Sequence, residues 1–232
     1  DTRARFNDYL EMSMVEAERA TGTQLDTFLG TGGSGTGAEA GTEGLFAAIN
    51  ARGNVCTDTF VGTYATDITT IDSIVAKFDA QGAIEENMLY LNRAEILAVD
   101  DMLGELDMAV NLGFSGFRRG SYDFYKTDWK YLNDKQAHGG TTSGAGDLKT
   151  TGVCIPAGVS SVYDEGLGKN IKRPFLHVRY RKSDTEDRKL KSWITGSVGG
   201  NITSDEDAMI VNYLSERCLV VQAANNFMLL RG

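Results

Sequence analysis

The sequence predicts an α+β protein. Three observations carry that expectation. An amphipathic run near the start reads as one long helix, the middle alternates helix, strand and helix, and the last sixty or so residues read as long β-ribbons. With 232 residues, the chain can bury a core for one large domain or two small ones. Apolar residues at 41% and charged residues at 24% argue against wholesale disorder.

Between Arg5 and Leu29, Phe6, Tyr9, Leu10, Met14 and Ala17 recur at steps of three and four. Glu11, Glu16, Glu18 and Arg19 lie between them, which predicts a long helix that Gly22 weakens and Gly30 stops. Residues 31–42 form a Gly/Ser/Thr/Ala loop. Glu43 to Asn50 returns to helix, with Leu45, Phe46 and Ile49 on one face. Thr69-Thr70-Ile71-Asp72 has a capping-box form and opens a helix to about Gln81, whose stripe is Ile68, Ile71, Ile74, Val75 and Phe78.

Met88 to Leu91 is a short buried strand. Asn92 can then cap a helix with Glu95 at its third position and Ile96, Leu97, Leu103 and Leu106 on its inner face. Ser121 to Leu132 sets Tyr122, Phe124, Tyr125, Trp129 and Tyr131 among charges, as an extended ribbon does. Gly139 to Gly146 is a second loop. Val153 to Pro156 is a short strand whose proline suits an edge or a strand end. Leu176, Val178 and Tyr180 share one strand face, and His177, Arg179 and Arg181 share the other. Gly199-Gly200-Asn201 signals a turn.

The net charge of −9 opposes a general nucleic-acid binder. The charge is uneven. Lys169 to Lys191 carries nine basic and three acidic side chains, against 14 basic and 29 acidic in the remainder. An acidic body with a basic arm complements a copy of itself head to tail, and such contacts build rings and shells. Charge alone fits a solvated basic strand equally well. No apolar run approaches the ~20 residues that span a bilayer. The start, Asp1 to Arg5, has no apolar signal region and no Met, so a processed or truncated front is expected.

Chemistry-bearing motifs are weak. The run Gly30 to Gly37 invites a phosphate-loop reading, but a helix precedes it and no Gly-Lys-Ser/Thr follows. His138 and His177 have no partners at metal-ligand spacing. Cys56, Cys154 and Cys218 are far apart and read as small buried hydrophobes. Asp100-Asp101 and Glu85-Glu86 are sequence neighbours that do not face each other on a helix.

The expectation is therefore no enzyme, with no catalytic, cofactor-binding or metal residue. The candidate residues are subunit contacts: Arg173, Arg179 and Arg181, the mixed-charge turn with Asp184, Glu186 and Arg188, and the aromatics Tyr122 and Trp129. The alternative is a soluble carbohydrate- or peptide-binding module using Tyr122, Tyr125 and Trp129 as a platform.

One stretch carries a resemblance. Ala208-Met209-Ile210-Val211-Asn212-Tyr213-Leu214-Ser215-Glu216-Arg217-Cys218-Leu219-Val220-Val221, then Ala223 to Leu230, runs as long strand, acid–Arg pair, apolar strand, polar break and last apolar strand. In this it resembles the major capsid proteins of tailed bacteriophages with the Hong Kong 97 fold. The order of earlier elements is also similar, from a long acidic helix like the family's spine helix to Met88 to Arg93 leading into a helix like its central strand.

The resemblance implies a peripheral domain of residues 1–43 and 205–222 and an axial domain of residues 44–204 and 223–232. It also implies self-assembly through hexamers and pentamers into an icosahedral virion shell, after a stay in the host cytoplasm. The implied partners are portal and auxiliary capsid proteins and packaged DNA held without sequence-specific contact, with no membrane. The family's N-terminal arm and extended loop have no counterpart within these residues, which leaves the lattice contacts they make unaccounted for.

Overall fold

The computed structural model describes residues 2–17, 43–82, 84–106, 115–133, 150–165, 168–196 and 208–231. It is a mixed α+β structure built on one mixed sheet. The Gly30–Gly37 and Gly139–Gly146 runs, the turn at Gly199 to Asn201, His138 and the far half of the first predicted helix lie outside the described residues.

Helix α1 (Thr2–Glu16) has no fully buried residue. Phe6, Leu10 and Met14 are half-buried, but Tyr9, expected on the same face, is exposed. The chain returns at Gly44, whose N–H donates to the Ala17 carbonyl at 2.6 Å. A Cβ there would lie 2.7 Å from the Ala17 nitrogen, so only glycine permits this crossing. Helix α2 (Leu45–Arg52) follows and buries Leu45, Phe46, Ala48 and Ile49.

Helix α3 (Tyr64–Gln81) begins five residues before the predicted Thr69 start. The extended residue Thr63 precedes it, and Asp67 explains the early start. Its buried carboxylate accepts the N–H groups of Val61 and Gly62 at 2.9 and 2.8 Å, holding the incoming loop on the first turn. Ile71, Ile74 and Phe78 make the buried stripe, and Gly82 ends the helix in the left-handed conformation at φ 64°.

In helix α4 (Arg93–Leu106), Asn92 is the cap as expected, its Oδ1 accepting the Glu95 N–H at 2.8 Å. The reciprocal half of the box is absent. The Asn92 N–H goes to the Thr151 carbonyl, and the Glu95 carboxylate instead accepts the Phe60 N–H at 2.9 Å. Leu97, expected inside, is 52% exposed, because the buried row is Ile96, Val99 and Met102.

The remaining strands of the body are β1 (Asn54–Cys56), β2 (Glu86–Leu91), β3 (Gly116–Arg119), β4 (Tyr122–Asp128), β5 (Thr150–Pro156) and β12 (Met228–Arg231). They lie in the order β1-β12-β5-β2-β4-β3. The β1–β12 and β2–β4 pairs are parallel and the others antiparallel. Strand β5 is central rather than an edge. Its proline sits at its end, opposite Asn87, where no ladder bond is lost.

Two apolar clusters cover the two faces of the sheet. Helices α3 and α4 pack with Cys56, Leu89, Tyr122, Phe124, Met228 and Leu230 on one face. Helix α2 packs with Val153, Phe227 and Leu229 on the other. Alternation along β12 thus feeds both cores, as a strand covered on both faces requires.

Three two-stranded antiparallel ribbons complete the described chain. They are β6 (Val159–Asp164) with β7 (Lys169–Pro174), β8 (Leu176–Tyr180) with β11 (Arg217–Val221), and β9 (Lys191–Gly196) with β10 (Met209–Leu214). The expected division at 204/205 falls between β9 and β10, and the β9–β10 and β8–β11 pairs cross it.

Candidate assembly surface

The second and third ribbons are two halves of one long ribbon. Tyr180 faces Arg217 and Lys191 faces Leu214. One side therefore passes through Ser215 and Glu216 alone, while the other makes the excursion from Arg181 to Leu190. The ends of that excursion are pinned to the short side. The Arg181 N–H donates to the Glu216 carbonyl at 3.1 Å, the Glu216 N–H donates to the Arg188 carbonyl at 3.0 Å, and the Ser215 hydroxyl donates to the Lys189 carbonyl at 2.7 Å.

Charges reinforce the pin. Glu216 lies between Arg181 at 3.1 Å and Arg188 at 3.6 Å, and Glu186 lies between Lys191 at 2.6 Å and Arg188 at 3.7 Å. The Lys191 ammonium donates to Glu186 and holds its carboxyl below the usual carboxylate range. Lys189 and Arg217 both lie over the Tyr180 ring, at 5.3 and 5.4 Å from its centroid.

The candidate contact residues therefore divide. Arg181, Glu186 and Arg188 serve this internal network. Arg179 is exposed on β8, and Asp184 is exposed beside Lys182 at the tip of the excursion. Arg173 is half-buried on β7.

The two aromatics are corrected more strongly. Tyr122 is 4% exposed, its ring stacked on Phe78 and its hydroxyl donating to Asp79 at 2.7 Å. Burial, and then this hydrogen bond, push its phenol up to about 12. Trp129 packs edge-on against Phe46 and Tyr90. The platform of Tyr122, Tyr125 and Trp129 is not formed, because strand alternation sends Tyr122 inward and Tyr125 outward. Further along the same strand, Lys126 pairs with Asp100, and burial lowers its pKa.

The β9–β10 ribbon carries an exposed apolar surface. There, Val211 and Ile194 face each other beside Met209 on one side, with Ile210 and Trp193 on the other. Ile194 is 60% exposed and Met209 is 55% exposed. Phe6 of α1 stacks on Tyr213 at 5.7 Å and covers one end of the first side. The apolar run at 208–211 was visible, but an apolar strand reads as buried until its covering layer is known to be missing.

A cleft of about 410 Å³ lies between α2 and β11, lined by Glu43, Ala48, Arg52 and residues 218–221. Among the described residues, no group of three His, Cys, Asp or Glu side chains is placed to hold a metal ion. Among them, no helix is long and apolar enough to cross a membrane. No family model matches the chain, and no curated protein matches it in sequence.

Proposed function

We propose that this chain is the structural subunit of a protein shell, a capsid protein of the tailed-bacteriophage kind built on the Hong Kong 97 plan. The observation that carries the reading is the contrast between a core sheet covered on both faces and the two-stranded ribbons, two of which carry exposed apolar side chains and all of which, among the described residues, have outer edges without a strand partner. A two-stranded ribbon is marginal by itself in water, and an exposed strand edge is a template for pairing with another chain. Such ribbons gain their stability by lying on neighbours.

In this reading the subunit carries no active site. It assembles with copies of itself into hexamers and pentamers, meets portal and auxiliary proteins at the shell, and encloses DNA without reading its sequence. Weak contacts suffice, because each is repeated around the shell. The test is sedimentation of the full chain followed by electron microscopy. Rings, capsomers or closed particles are expected. A species that stays monomeric at all concentrations and salt conditions overturns the proposal.

A further inference from the structure

The first ribbon is an arm with one distinctive face. Its register sets Val159 opposite Pro174, Ser161 opposite Lys172 and Tyr163 opposite Asn170 on that face. Tyr163 is 61% exposed, and Val159, Lys172 and Pro174 are also exposed. The face thus sets a cation at its centre between Val159 and Pro174 on one side and Tyr163 on the other. The arm is anchored near its base, where Phe175 enters the second apolar cluster and the Gln222 amide donates to the Ser160 hydroxyl at 3.3 Å. Among the described residues, its two strands pair only with each other.

A surface of opposite character lies on the helical layer of the body. Along α4, Leu97, Asp101 and Glu105 recur at four-residue steps and are exposed, so an acidic row runs beside the apolar side chain. The loop before α3 lies on α4, where a Cβ on Gly62 would touch Asp101 and Ala98. Exposed Val61 and Leu97 are the immediate sequence neighbours of those touching residues. Asp101 lies against Gly62, Glu105 accepts the Tyr64 N–H at 2.7 Å, and both are exposed beside this loop. An apolar centre with a rim of one charge sign is the anatomy of an interface.

We propose that the β6–β7 arm of one copy docks on the Val61–Leu97 patch of a second copy. Lys172 then meets the acidic rim, and Tyr163 and Val159 cover the apolar centre. The occupant is a copy of this chain because both halves are exposed on it and their charges are opposite. The contact is heterologous, so it propagates into rings. It rests on the shell reading and names one of its interfaces.

The experiment is a charge swap in the full chain, read by analytical ultracentrifugation. Lys172→Glu and Asp101→Lys alter exposed side chains, so the urea midpoint of the subunit stays unchanged. Each alone should raise the concentration needed for assembly at least about tenfold, and the double variant should recover most of that loss. Tyr163→Ser and Leu97→Ser probe the apolar centre and should each weaken assembly far more than they move the midpoint.

Single variants that assemble like the parent overturn the contact, whether or not Lys172→Glu weakens binding to DNA. A double variant no better than the singles also overturns it. A parent chain that never assembles removes the shell reading itself, a result distinguishable from either of these.

Discussion

The body and the ribbons use similar residues to opposite ends. In β12, Met228, Leu229 and Leu230 are buried from both sides of the sheet. In β10, Met209, Ile210 and Val211 are just as apolar and stand exposed. Composition therefore does not separate the two regions; the number of covering layers does. The body covers its sheet on both faces, whereas the β9–β10 ribbon leaves Ile194, Met209 and Ile210 exposed.

Substitutions can break this comparison at several strengths. The largest effect on the subunit is expected from Phe78→Ala, which empties the space beneath Tyr122. It should cost ~3–5 kcal/mol in urea unfolding. Ile194→Ser on the ribbon should move the same midpoint by less than ~0.5 kcal/mol and act on assembly instead. If Ile194→Ser destabilises the isolated subunit as much as Phe78→Ala, the ribbon belongs to the core and the contrast fails.

Next comes Gly152→Ala in β5. The new methyl would lie 2.6 Å from Leu91 and 2.8 Å from the Tyr90 carbonyl, so strands must part, at a cost of about 1–3 kcal/mol.

Tyr122→Phe should cost ~1 kcal/mol at neutral pH, from the lost bond to Asp79. It also sharpens the comparison through pH. The folded phenol, at about 12, holds its proton to higher pH than the unfolded one near 10. The folded state therefore binds more protons than the unfolded state in this window. Stability from this group is complete below pH 10 and falls away as pH rises toward 12. Thermal scans across that range should slope less steeply in the variant.

Glu216→Gln should have the smallest effect, under ~1 kcal/mol, because its partners are exposed or half-exposed and screened by water. Thiol labelling offers a parallel check. Cys218 is exposed on a ribbon, whereas Cys56 and Cys154 lie in the body with thiols pushed up by burial. Rapid labelling should therefore reach Cys218 alone until the body unfolds.

Local signals were legible where one residue type had one local task. Asn92 capped its helix, and Ile71, Ile74 and Phe78 faced inward at helical spacing. The misreadings come from side chains that serve distant backbone. Asp67 and Glu95 hold the loop at Phe60 to Gly62, which moved one helix start and left one capping box half made. Leu97 looked internal because periodicity alone allows a row one position off. Tyr122 looked like surface because aromatics among charges describe both an interface and a half-buried strand. The sheet order was beyond local reading, since the place of β12 depends on pairings between opposite ends of the described chain.

That placement has a consequence for synthesis. Asn54 bonds to the carbonyl of Phe227, 173 positions later. At the usual 5–20 residues per second, the ribosome takes roughly 10–35 s to make the intervening chain. During that interval β1 has no partner, β5 lacks one of its two neighbours, and both cores lack the side chains of β12. A nascent chain is therefore open at the middle of its sheet, with apolar strand edges and faces exposed until β12 arrives. Closure of the sheet therefore waits on the late insertion of β12 between β1 and β5.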